Sequence, residues 1–169
     1  MISVSGRHIE YDGTCGLYVS ATYVRRSALA LQRIVNSLGI KKSPDFHTTL
    51  LYSRKAAEVP AQDIIDLCAK MNRRGHGAVV QATGIEVFKG HDDCHYMALT
   101  LEAPLFYVFH NQLLATGAQH NFTDYKPHIT ITKSEEPISS EVYHEVSQRL
   151  AANPVNLYFR VSTPSNLDM

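Results

Sequence analysis

The chain predicts an α+β fold built from two similar halves, and three observations carry that expectation. Segments of strand-forming and helix-forming character alternate along all 169 residues, with no linker or low-complexity stretch dividing them. A His-x-Thr tripeptide occurs twice, as His47-Thr48-Thr49 and as His128-Ile129-Thr130. The second copy lies 81 residues beyond the first, close to half the chain, which points to two pseudo-repeated lobes within a single domain spanning 1–169. A single α+β sandwich with no internal symmetry is the plainer alternative.

The elements follow in order. Residues Gly16 to Val24 are rich in β-branched and aromatic side chains and read as a strand. Ala28, Leu31, Ile34, Val35 and Leu38 recur at helical spacing over Ser27 to Leu38, with Gly39 as the stop. The first motif strand is expected over Phe46 to Ser53. Pro60 to Asn72 reads as an amphipathic helix with Ile64, Ile65, Cys68 and Met71 turned inward and Gly75 past its end. Ala78 to Phe88 and Tyr96 to Leu101 are two strands joined across the turn-forming run Lys89-Gly90-His91-Asp92-Asp93. A third helix runs from Pro104 to Thr116 with Leu105, Val108, Phe109 and Leu113 on one stripe, closed by Gly117. The second motif strand covers His128 to Lys133. A helix from about Ser140 to Ala151 and one last strand from Val155 to Val161 complete the order, and the polar tail from Ser162 is expected to be loose.

Side chains on a strand alternate between faces, so His47 projects with Thr49, and His128 with Thr130. Phe46, Thr48 and Leu50 take the opposite face of the first strand, and Ile129 and Ile131 that of the second. Two imidazole–hydroxyl pairs facing each other would place a proton acceptor and a proton donor on either side of one reacting group. That is the minimum equipment for phosphodiester cleavage without a metal. A single strand histidine is most simply a hydrogen-bonded residue at a sheet surface. The matched pair, each copy preceded by proline or an aromatic residue and continuing into apolar β-formers, points to a shared active site.

Sixteen basic and sixteen acidic residues cancel, which argues against a protein that lives on the backbone of long nucleic acid. Three cysteines, Cys15, Cys68 and Cys94, show no metal-ligand spacing and read as reduced thiols of a cytoplasmic protein. The start lacks a signal pattern and no apolar run is long enough to span a bilayer, so neither secretion nor a membrane location is expected.

The paired segments His47-Thr48-Thr49-Leu50 and His128-Ile129-Thr130-Ile131 resemble the paired His-x-Thr/Ser-x signatures of the 2H phosphoesterases. The spacing of half a chain and the strand–helix alternation extend that resemblance over nearly the whole length. Within the superfamily, Phe46 to Lys55 and Asp124 to Lys133 are most similar to phage anti-CBASS nucleases, which degrade cyclic oligonucleotide alarm signals. The resemblance implies a bilobal fold with antiparallel sheets lining a central cleft and helices outside. It implies metal-independent chemistry, with no cofactor, on phosphates adjacent to a ribose hydroxyl. His47, Thr49, His128 and Thr130 are then the catalytic residues. One histidine, neutral, takes the proton of the 2′-hydroxyl and the other, protonated, donates to the departing 5′ oxygen. The threonines hydrogen-bond the non-bridging phosphate oxygens. Which histidine plays which part stays open.

Around these four, Tyr18 and Tyr125 are candidates for stacking on bases, or else fill core or lobe-interface space, and Lys126 is a candidate phosphate contact or an exposed strand lysine. His91, Asp92, Asp93, Cys94 and His95 are too bunched for one tetrahedral ion and suit a hairpin turn, so no metal site is expected. His110, His120 and His144 read as surface residues. The function expected is cleavage of 3′,5′-linked cyclic oligonucleotides by internal 2′-hydroxyl attack, with the small cyclic nucleotide as partner. An RNA-end phosphodiesterase acting on 2′,3′-cyclic phosphates or 2′,5′ linkages uses the same residues, and a nucleotide-sequestering binding protein is the non-enzymatic alternative.

Overall fold

The computed structural model describes residues 9–41, 45–121 and 124–167. Its elements are β1 (Leu17–Tyr23), α1 (Arg25–Ser37), β2 (His47–Ser53), α2 (Ala61–Gly75), β3 (Val80–Lys89), β4 (His95–Glu102), α3 (Pro104–Leu114), β5 (His128–Ser134), α4 (Ser140–Ala152), β6 (Val155–Leu157), β7 (Phe159–Val161) and β8 (Ser165–Asn166). The class is α+β with antiparallel pairing throughout.

Two four-stranded sheets form. One has the order β2-β1-β7, with β8 also paired to β1; the other has the order β5-β4-β3-β6. Each motif strand is therefore an edge strand, and its neighbour is the strand that precedes it in the chain across one helix: α1 links β1 to β2, and α3 links β4 to β5. Register matches as well. His47 lies opposite Thr22 and Thr49 opposite Ser20, while His128 lies opposite Thr100 and Thr130 opposite Ala98. A bulge follows immediately in each, leaving Leu50 and Ile131 as the extra residues of their strands.

The helices form because their apolar residues fall on one stripe. α1 buries Leu31, Ile34 and Val35, and α2 buries Ile64, Cys68 and Met71. α4 begins with Ser139, whose hydroxyl accepts from the Glu141 amide, and turns Val146 and Leu150 inward. α2 packs on β7, α3 on β2 and α4 on β3. Most buried apolar side chains of both sheets and all these helices join in one cluster, while Tyr18, Tyr52 and Leu167 form a smaller one. Cys68 sits within it, its thiol pushed up to about 12 by burial.

Three expectations are corrected. The stripe of α3 is rotated: Phe106, Phe109, His110 and Leu113 are buried, while Val108 is exposed. Amphipathic spacing admits either set, and the aromatic pair wins because Phe106 and Phe109 both reach Phe159, with ring centroids 4.7 and 6.4 Å apart. The single last strand is two. β6 pairs with β3 and β7 with β1, and the chain changes sheets at Tyr158. There the Tyr158 amide donates to Ser27 Oγ at 2.8 Å and its carbonyl accepts from the Val24 amide at 3.1 Å. Nor is the tail loose up to Leu167. Ser165 and Asn166 pair with β1, and Leu167 is buried against Tyr18 and Tyr52; Asp168 and Met169 lie outside the described residues.

Candidate active site

The two motif strands, each terminal in its sheet, lie in contact. Between them lies a cavity of about 660 Å³, and His47, Thr49, His128, Thr130, Tyr18, Tyr125 and Lys126 all line it. Alternation puts the rest of each motif behind the wall. Thr48 is fully buried, with its hydroxyl and that of Tyr23 2.6 Å apart; burial raises the Tyr23 phenol, so it stays protonated. Ile129 and Ile131 anchor the second strand in the core.

The histidines are held in the same way. His47 Nδ1 lies 3.0 Å from the Asp45 carbonyl, and His128 Nδ1 lies 2.9 Å from the Lys126 carbonyl. A carbonyl only accepts, so each Nδ1 carries the hydrogen and each Nε2 is the nitrogen left to exchange a proton. In both cases the acceptor stands two residues before the histidine, so the local backbone orients the ring. Pro127 disfavours a helical backbone at Lys126. Phe88, stacked on Tyr96 at 5.5 Å, meets the His128 ring edge-on at 5.6 Å.

The three candidate binding residues differ in what they offer. Tyr18 is largely buried, its ring edge-on to Tyr52 at 6.4 Å and its hydroxyl 3.2 Å from Thr49 Oγ1. Burial raises its phenol, with the Thr49 bond opposing, so a protonated hydroxyl stands beside the motif threonine. Tyr125 lies flat against His110, centroids 4.0 Å apart at 7°, and donates its hydroxyl to the Thr49 carbonyl at 2.8 Å. Lys126 is exposed and sits in the segment before β5 rather than on the strand.

Among the described residues no group of three or more His, Cys, Asp or Glu side chains stands where it would hold a metal ion. His95 opens β4, and Asp92 accepts from the Tyr96 hydroxyl and pairs with Lys133 at 3.1 Å. Those partners hold the Asp92 carboxyl well below the usual range, the Tyr96 hydroxyl most of all. The segment makes a hairpin tip, with Asp93 in the left-handed region at φ 63°.

His110 and His120 are not surface residues. His110 is buried, its Nδ1 donating to the Leu50 carbonyl at 2.6 Å; His120 lines the cavity, its Nδ1 accepting from the Tyr52 amide at 3.1 Å. Burial lowers both, His120 to about 4. The signal for His110 was its place in the stripe, four residues after Phe106 and one after Phe109. His120 gave none, being in a connection without periodicity. Glu86, Phe88 and Tyr96 also line the cavity and were not anticipated as site residues.

Comparison with known proteins decides the family. The family model described as Anti-CBASS protein Acb1 matches residues 15–156, a span that includes both motif strands. The chain belongs to the Acb1 family. Its relatives include the anti-CBASS protein Acb1 of Enterobacteria phage T4, 30% identical over 132 residues, 76% of this chain and 78% of that protein. Acb1 of Vibrio phage KVP40 is 29% identical over 120 residues, 69% of this chain and 72% of that one. Acb1 of Escherichia phage RB16 is 26% identical over 160 residues, 91% and 82% of the two chains. No helix among the described residues is long and apolar enough to cross a membrane.

Proposed function

We propose that this chain is an anti-CBASS phosphodiesterase of the 2H phosphoesterase type, cleaving 3′,5′-linked cyclic oligonucleotide signals without a metal. One observation carries the reading: two His-x-Thr strands with matched register and matched Nδ1 bonds bring both histidines and both threonines into the lining of one cavity, with each Nε2 left unused by those bonds. The volume suits a small ligand, and the net charge of zero gives no general pull on polymeric RNA. Its relatives are anti-CBASS proteins of phages, so the proposed setting is the interior of an infected bacterial cell.

In this mechanism the neutral Nε2 of one histidine takes the 2′-hydroxyl proton as that oxygen attacks the adjacent phosphorus. The Nε2–H of the other imidazolium gives its proton to the 5′ oxygen as the P–O bond breaks, leaving a 2′,3′-cyclic phosphate. With the roles reversed and water as nucleophile, the cyclic phosphate opens to a 3′-phosphate. Thr49 and Thr130 hydrogen-bond the non-bridging oxygens as charge builds there, and the Tyr18 hydroxyl orients that of Thr49. Lys126 is proposed to meet a second phosphate. The deciding experiment incubates the protein with cyclic dinucleotides and with 2′,3′-cyclic RNA ends in excess EDTA and identifies products by mass spectrometry. Linear products with 3′-phosphate or 2′,3′-cyclic phosphate are expected. A preference for RNA ends would move the chain to end-processing, binding without turnover would make it a sponge, and a loss of activity that zinc or manganese restored would overturn the metal-free mechanism.

A further inference from the structure

An edge strand ordinarily shows a row of backbone N–H and C=O groups to water. The outer edge of β2 does not. From the connection between α3 and β5, the Asn121 amide donates to the Tyr52 carbonyl at 2.9 Å, and Asn121 Oδ1 accepts from the Arg54 amide at 2.6 Å. The Gln119 amide donates to Ser53 Oγ at 3.1 Å. Nearer the motif the partners are three aromatic side chains. His120 Nδ1 accepts from the Tyr52 amide, His110 Nδ1 donates to the Leu50 carbonyl, and the Tyr125 hydroxyl donates to the Thr49 carbonyl. The three rings form one block, with His110 flat on Tyr125 and edge-on to His120 at 4.7 Å.

These bonds fix opposite tautomers: His110 must carry its hydrogen on Nδ1, and His120 must leave Nδ1 bare. A protonated His120 could not accept from Tyr52. Burial, which lowers both groups, keeps the pair neutral and the bonds intact. The bulge at Leu50 matters here, because the extra residue turns two successive carbonyls, of Thr49 and Leu50, toward the block.

We propose that His110, His120 and Tyr125 are positioning residues, fastening the edge of the first motif strand to the segment that leads into the second and so fixing how His47 and His128 face each other. Tyr125 holds Thr49 through its hydroxyl. Through the backbone it adjoins Lys126, whose carbonyl orients the His128 ring. Any shift of the Tyr125 ring is therefore felt at both motifs. An apolar ring in place of either histidine would fill the space but leave a β2 backbone group without its partner. The proposal rests on the cleft being a phosphodiesterase site, and one arm of its test does not.

Tyr125→Phe keeps the stack and loses the Thr49 bond. His120→Leu keeps bulk and loses the acceptor, and His120→Gln restores an acceptor. With a 3′,5′-cyclic dinucleotide, Tyr125→Phe and His120→Leu should lower kcat by about 10- to 100-fold, the scale of a misplacement near 1 Å, with KM within about threefold. His120→Gln should recover most of the loss. The second arm follows backbone amide and imidazole resonances of the unliganded protein. Tyr125→Phe should move those of Thr49 to Leu51 and also the His128 ring. A folded Tyr125→Phe protein with normal kcat, a defect confined to KM, or an unmoved His128 ring would each overturn the proposal. Absence of any turnover by the unsubstituted protein would sink the proposed function instead, and the resonance arm would then decide on the positioning cluster alone.

Discussion

Leu50 and Ile131 hold the same position in two strands. Each follows a motif threonine directly, each is the unpaired member of a bulge against the preceding strand of its sheet, and each is buried. Bulges re-aim side chains, and they recur beside active sites. Here the pair lets His47 and Thr49 face the cavity while Leu51 continues the apolar packing, and allows the same division between Thr130 and the core behind β5.

Loss of either imidazole should remove a proton carrier without unfolding the protein. His47→Ala and His128→Ala are each expected to lower turnover by about 10²–10⁴-fold, with near-unchanged melting because both side chains are only partly buried and bond to a local carbonyl. Steady-state kinetics alongside circular dichroism would check this. A folded variant of near-normal activity would refute the two-histidine mechanism.

Substrate chemistry gives a sharper test. Replacing the ribose beside the scissile phosphate by 2′-deoxyribose deletes the nucleophile and little else. Binding measured by calorimetry should persist while cleavage stops, and efficient cleavage of the deoxy analogue would rule out internal attack.

Much of this was legible in the chain. Strand and helix identities followed from period and punctuation because the apolar stripes of α1 and α2 and the β-branched runs of β1 and β5 agree with their tertiary settings. The motif residues were legible because alternation alone puts His and Thr on one face. What could not be read was set by distant partners. Rotation of α3 depends on Phe159, some fifty residues on, and the split of the last strand depends on two sheets each claiming three residues of it. His120 had no local pattern, since its partner is a backbone amide 68 positions away.

Acid should loosen the protein before carboxylates titrate fully. His120 falls from an ordinary 6.5 to about 4 on folding, and His110 falls too, both chiefly by burial. The unfolded chain therefore binds protons that the folded one refuses as pH drops below about 6.5, and stability declines with pH in that window, by at most about 1.4 kcal/mol per pH unit per histidine. For His120 the decline ends near 4. Urea midpoints from pH 7.5 to 4.5 would measure it, and His120→Gln should flatten the slope. An unchanged slope in that variant would mean the burial of His120 is not what destabilises the fold.

Gly75 closes α2 against the Phe159 ring, and a Cβ there would stand 2.6 Å from Phe159 Cε2. Phe159 is itself wedged between Phe106 and Phe109, so it has little room to yield. Gly75→Ala should cost about 1–3 kcal/mol in a urea titration, with kcat preserved below the transition. A neutral effect would show that the ring has space to retreat.

The passage of the chain through Tyr158 makes the cleft a pair of tongs rather than a clam. Three residues on one side of Tyr158 belong to the sheet carrying His128, and three on the other to the sheet carrying His47. Arg26 lies over its ring at 4.1 Å, and the start of α1 grips its backbone from both sides. The crossing at Tyr158 and the block of rings along β2 are two separate ties between the halves of the fold. An added or deleted residue at Tyr158 would put β7 out of step with β1, whereas the hairpin tip at Asp93, an exposed turn, has room to lengthen. Changes in chain length are therefore expected to be accommodated at that tip and resisted at Tyr158, where the strands of both sheets are held in register.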